Sequence, residues 1–185
     1  MSKLRIMSRK RVFDHPWERI FIERVQAGNG AEFDYLISEP NDFVVVVPII
    51  KGKNVLLINQ YKHGARQDLL GFPAGFMHAG ETAEACAERE LAEETHYTAR
   101  TFRQVAQLSE NPTRCRNSYY IVFAEDAAPI PGAASQNTDE LEGVVKSKVV
   151  AISQLLKPSV LRQMKAGPML SALPFLLRLE QKEYL

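Results

Sequence analysis

The sequence predicts an α/β protein in which a mixed sheet is covered by helices on both faces. Residues 43–50 and 55–61 are near-continuous apolar runs, the pattern of strands buried on both faces. An alanine-rich segment from Thr82 to about Thr95 then reads as a helix. Three further strand-like runs lead to a second helical region at the C-terminal end. With 185 residues the chain is long enough to enclose a full hydrophobic core.

The elements follow in order. Residues 1–16 carry no clear pattern. Residues 17–25 and 33–37 are rich in aromatic and β-branched side chains, and Ala27-Gly28-Asn29-Gly30 lies between them, so the pair reads as a hairpin. Residues 1–40 are therefore expected to form an N-terminal β extension and 41–185 the main domain. Lys51-Gly52-Lys53-Asn54 is the turn between the two apolar strands. Residues 71–80 hold several glycines and a proline and read as loop. Thr82 is placed to cap the helix that follows. Strands are expected over 102–108, 119–124 and 144–152, with a Pro/Gly/Ala/Ser-rich loop over 127–138. Residues 153–156 begin helical. A C-terminal helix over 160–179 is expected to break near Gly167-Pro168 and at Pro174.

Composition excludes several classes. Net charge is +1, which gives no bulk electrostatic case for nucleic acid. The longest apolar run is eight residues, too short to span a bilayer. The basic N-terminus lacks an apolar segment and is not a secretory signal. Two distant cysteines, Cys86 and Cys115, suit free thiols in a reducing cytoplasm, with Cys86 a small buried hydrophobe on the helix.

The chemistry concentrates at Glu90, Glu93 and Glu94. Their i, i+3, i+4 spacing puts three carboxylates on one helix face, where they repel unless a cation joins them. Hard divalent ions are commonly held by one or two carboxylates together with substrate phosphates. An isolated run of this kind is more often a solvated acidic face, but its surroundings are specific. From Gly75 to Glu94 the string reads G-x5-E-x7-R-E-L-x-E-E, with Glu81 and Arg89 at the other typed positions.

This string resembles the signature box of the Nudix hydrolases, a loop–helix–loop that carries metal for diphosphate cleavage. It covers about an eighth of the chain. The resemblance implies an α/β/α sandwich and Mg²⁺ as cofactor, with Mn²⁺ the alternative. It also implies Glu90, Glu94 and the carbonyl of Ala74 as metal ligands, Glu93 beside them acting through water, Arg89 orienting the glutamates and Glu81 fixing the loop. One position departs from the box: the family Gly that closes the helix is His96 here, a side chain that tolerates φ > 0 better than most.

The flanks resemble the ADP-ribose and nucleoside-diphosphate-sugar pyrophosphatase branch. Leu70-Gly71-Phe72-Pro73-Ala74-Gly75 matches its L-E-x-P-A-G lead-in, with Gly71 for Glu, and Asn59-Gln60-Tyr61-Lys62 its E-Q-Y-R, with Lys62 for Arg. Lysine neutralises a phosphate without gripping it bidentately. Pro112, in Glu110-Asn111-Pro112-Thr113-Arg114, stands near a proline that marks the branch, and Arg114 and Arg116 would then face phosphates or sugar. Asp139-Glu140-Leu141-Glu142 falls where the branch supplies a catalytic base and a further ligand. Glu140 is preferred as base and Glu142 as ligand, with the reverse as alternative. The partner implied is a small nucleoside diphosphate derivative, and a homodimer through the N-terminal hairpin is expected. Two other readings stand beside this one: cleavage of dinucleotides or damaged nucleoside triphosphates, and a non-catalytic nucleotide sensor. Retention of every box glutamate disfavours the sensor.

Overall fold

A computed structural model describes residues 4–132 and 146–182. The chain divides into two compact units, Met1–Asp42 with Leu108–Ser118, and Phe43–Gln107 with Tyr119–Leu185.

In the first unit β1 (Arg5–His15), β2 (Glu18–Gln26) and β3 (Glu32–Pro40) form an antiparallel sheet in that order. The expected hairpin is β2–β3. Its turn closes through Ala27 N–H to Ala31 O (2.8 Å), with Gly30 at φ 84°, where a side chain would be strained. The patternless start of the chain is a correction: it forms β1, the edge strand. Every residue of β1 is exposed, and its register shifts between Ile6 and Ser8 and again between Arg11 and Phe13. A strand with no buried face and two irregularities has nothing to impose a two-residue period.

In the second unit β4 (Phe43–Ile50) and β5 (Asn54–Lys62) pair only beside their turn, at Ile49–Val55 and Ile50–Asn54. They then diverge. β5 continues antiparallel to β6 (Gln67–Gly71), and β4 to the short β7 (Ala74–Phe76). Residues 71–80, expected as loop, thus contain strand, because β4 offers β7 a free edge where it leaves β5. After α1 (Ala83–Thr95) and β8 (Tyr97–Thr98) come β9 (Thr101–Ser109) and β10 (Ser118–Glu125), the latter parallel to β4. The two-residue β11 (Ala128–Pro129) pairs with β8, and β12 (Lys146–Ala151) lies antiparallel on the outer side of β5. The main sheet order is β12-β5-β4-β10-β9.

The apolar runs are buried on both faces, as their sequence requires. Val44, Val46, Val122 and Ala124 pack with Ala83, Cys86, Ala87 and Leu91 of α1. The alternate residues Val45, Val47, Ile121 and Phe123 are equally buried and point to the other face. On that face Tyr119 Oη lies 2.9 Å from Ser171 Oγ of the C-terminal helices. Those are α2 (Pro158–Leu161), α3 (Gly167–Ser171) and α4 (Leu173–Lys182), after a 3₁₀ turn at Ile152–Gln154. The result is the α/β/α sandwich. The expected breaks near Gly167-Pro168 and at Pro174 are the gaps between α2, α3 and α4, and each proline stands in the first turn of the helix that follows, where a missing N–H costs nothing.

Candidate active site

The site grows from the way α1 begins and ends. Thr82 is extended and its hydroxyl accepts from Ala85 N (3.2 Å), which fixes the helix start. His96 ends it in the left-handed region, φ 58° and ψ 29°, at the position where the resembled box has its glycine. Between the caps, Ala83, Cys86, Ala87, Glu90 and Leu91 form the buried stripe. Glu90 is on that stripe, only 9% exposed, and Glu94 is one turn further along the same side.

Both carboxylates meet the backbone of β7. Ala74 N donates to Glu94 Oε2 (3.0 Å). The Glu90 carboxylate lies against Gly75 so closely that a Cβ there would stand 2.0 Å from Oε1. Gly75 is therefore a steric requirement of Glu90, a role its place in the motif signals only by residue type.

Arg89 organises the rest with all five of its N–H donors. Nε and Nη2 grip Glu81 at 3.0 and 3.1 Å. Nη1 donates to Glu90 Oε1 (2.6 Å) and Glu93 Oε2 (3.1 Å), and Nη2 also reaches Phe76 O (3.0 Å). One planar fork thus fixes two glutamates of α1, the loop glutamate and the end of β7. A lysine could not replace it.

The electrostatics follow. Hydrogen bonds from Arg89, with a further one from His78 N–H, hold the Glu81 carboxyl down at about 2, against desolvation. The guanidinium of Arg89 is pushed above its ordinary value, first by Glu81. Glu90, unlike Glu81, is raised: burial outweighs its bond to Arg89. A nearby cation favours the ionised form and reverses that balance. The Cys86 thiol, fully buried, is raised by desolvation to about 12 and is a packing group, as its alanine-rich surroundings predict.

Among the described residues, no three carboxylate, imidazole or thiolate side chains converge to hold an ion by themselves. Glu81, Glu90 and Glu93 instead converge on Arg89. Two carboxylates beside a strand backbone still fit a hard divalent ion that takes its remaining ligands from phosphates and water. Lys62 ends β5 opposite Gln67. Pro112 and Arg114 lie in the exposed β9–β10 loop, and Arg116 is paired with Glu23 and Glu39. Glu140 and Glu142 lie outside the described residues.

The NUDIX domain model matches residues 40–169. The ADP-ribose pyrophosphatase of Bacillus subtilis (strain 168) is 23% identical over 141 residues, 76% of each chain. The ADP compounds hydrolase NudE of Escherichia coli (strain K12) is 31% identical over 107 residues, 57% of each. A crystal structure of an ADP compounds hydrolase superposes with a TM-score of 0.81 at 26% identity, covering 98% of this chain and 96% of that one. The chain belongs to the NUDIX family, as a hydrolase of its pyrophosphatase branch. Hydrolases of this family generally use divalent cations.

Proposed function

We propose that this enzyme is a Mg²⁺-dependent hydrolase of the diphosphate linkage of ADP-ribose or another nucleoside-diphosphate sugar, giving a nucleoside monophosphate and a sugar phosphate. The observation that carries this reading is the pair Glu90 and Glu94, gathered on consecutive residues of β7 beside Arg89. The likeness to relatives named for ADP-ribose and ADP compounds supports this substrate class.

Glu90, Glu94 and the Ala74 carbonyl would hold the cation, with Glu142 as a further ligand. The bound ion supplies charge neutralisation at the diphosphate and lowers the cost of activating water. Arg89 keeps Glu90 and Glu93 in place while substrate arrives. Glu140 takes the proton of the attacking water. Carboxylates committed to a cation are poor bases, so a separate group is required. Lys62 and Arg114 counter phosphate charge, and Pro112 shapes the loop that carries Arg114. The working form is a homodimer in the cytoplasm. Among the described residues no helix is long and apolar enough to cross a membrane.

A panel of ADP-ribose, other nucleotide sugars and dinucleotides with Mg²⁺, its products separated by chromatography, tests the reading. AMP and ribose phosphate from ADP-ribose are expected. Faster turnover of dinucleotides would favour a second reading, a broader ADP-compound hydrolase, which the near-complete overlay on such an enzyme supports. Glu140→Gln should lower kcat by about 10²–10⁴-fold with KM largely kept. If Glu142→Gln does so at saturating metal and Glu140→Gln does not, the two roles exchange.

A further inference from the structure

Phe72 and Pro73 join β6 to β7, and this lead-in delivers the backbone that Glu90 and Glu94 meet. Its course leaves little slack. Gly71 stands opposite Ile58 of β5, and Phe72 is only 1% exposed. Val46 N of β4 donates to Pro73 O (2.8 Å), and Ala74 N donates to Glu94 Oε2 (3.0 Å). The side of β6 away from β5 is held by the C-terminal part of the chain. Leu70 N donates to Gln163 O (3.1 Å), and Lys165 Nζ donates to Gln67 Oε1 (2.8 Å). α3 is tied to β10 where Tyr119 Oη meets Ser171 Oγ (2.9 Å), and that hydroxyl donates to Pro168 O (2.7 Å). Met169 stands between these ties. A Cβ at Gly71 would lie 3.2 Å from its Cγ and 3.3 Å from its Sδ, and the three nearest atoms all belong to Met169. Gly71 does not have a positive φ, so its backbone does not call for glycine. Its neighbour does. This is the position where the resembled lead-in has glutamate.

We propose that Met169 is a positioning residue of the cation site, which sets the lead-in through its contact with Gly71, and that glycine replaces glutamate at 71 because the thioether stands where a side chain would begin. Only Phe72 and Pro73 separate Gly71 from Ala74. Both are buried, and a close-packed segment passes a displacement on instead of absorbing it. A shift at Gly71 therefore reaches Ala74 and the glutamates that meet β7. The inference rests on the reading of Glu90, Glu94 and the Ala74 carbonyl as a cation site.

The test is calorimetric titration with Mn²⁺, at a temperature where melts show each variant folded, beside ADP-ribose hydrolysis across a Mg²⁺ titration. Met169→Ala should weaken Mn²⁺ binding about tenfold, as a small displacement of a reacting group does. It should also raise the Mg²⁺ needed for half-maximal rate, with kcat at saturating metal little changed. Met169→Leu, of similar volume, should keep the parental values. Gly71→Val must push Met169 aside and should weaken Mn²⁺ binding as Met169→Ala does. The double variant Gly71→Val with Met169→Ala refills the space and should recover most of the loss. Leu170→Ala, an exposed change on the same helix, serves as control and should move neither metal readout. A methionine that only packs would lower the melting temperature and leave both metal readouts alone. Parental Mn²⁺ affinity in folded Met169→Ala overturns the inference, and so does a double variant no better than Gly71→Val. Should Met169→Ala not fold, the comparison of Gly71→Val with the Gly71→Val/Met169→Leu pair decides: equal loss upholds the contact, and parental affinity in both overturns it. A parent that binds no Mn²⁺ overturns the cation-site reading itself, and this inference with it. A parent that binds and a Met169→Ala that binds equally overturn this inference alone.

Discussion

At the scale of single residues, the site is a set of contacts that leave little freedom. Gly75 is the tightest. A methyl group there would overlap the Glu90 carboxylate, so Gly75→Ala should displace Glu90 and weaken divalent-ion binding about ten- to a hundredfold, measured by calorimetric titration with Mn²⁺. Unchanged affinity would mean that Glu90 is not held there when metal binds. Glu81 gives a pH test. Its carboxyl is depressed to about 2 from an ordinary value of 4.5, so it stabilises the fold above that ordinary value. The contribution is lost as pH falls from 4.5 through about 2. Denaturant unfolding of the parent and Glu81→Gln should therefore show a gap at pH 7 that closes across this window. A gap independent of pH would contradict the pairing with Arg89. The box residues were legible in sequence because their spacing is local to one loop and one helix. The ion-pair quartet of Arg9, Glu23, Glu39 and Arg116 was not, since its members are brought together by strand register and loop docking, neither of which a spacing encodes.

At the scale of elements, α1 carries the site and its ends decide its stability. Thr82→Ala removes the hydroxyl that accepts from Ala85 N and should destabilise by about 1 kcal/mol. His96→Gly should act in the opposite direction by a similar amount, about 1 kcal/mol, because His96 holds a left-handed conformation that glycine adopts without strain. Thermal melts of the two variants should move to opposite sides of the parent. A shared sign would show that one cap does not work as its geometry implies. Thr82 was readable as a cap from residue type, whereas His96 was readable only from its place in the box, where the family has glycine. β7 was not: it is a strand only because β4 parts from β5, and its glycine and proline neighbours read locally as loop. The C-terminal breaks near Gly167-Pro168 and at Pro174 were readable, because a proline cannot continue a helix but can open the next one.

At the scale of the whole molecule, the alternation of buried strands with flanking helices was enough to read the sandwich. β1 escaped because it buries neither face. Its exposed Ile6, Val12 and Phe13, with Trp17 at 70% exposure beyond its end, belong to a sheet that also exposes Ile22, Phe33 and Leu36. That much apolar surface on one small sheet is more than solvent usually covers, so a homodimer is expected in sedimentation at micromolar concentration. Monomer alone would remove this sheet from the account of assembly. The central claim concerns the second unit, where Glu90 and Glu94 on α1 are read as the cation site of a diphosphate hydrolase. Its most direct test is ADP-ribose hydrolysis by the parent and Glu94→Gln across a Mg²⁺ titration, with folding checked by circular dichroism. The parent should depend on Mg²⁺, and Glu94→Gln should stay folded yet lose activity on the order of a hundredfold or more even at saturating metal. Parental rates in Glu94→Gln at saturating Mg²⁺ would contradict the assignment.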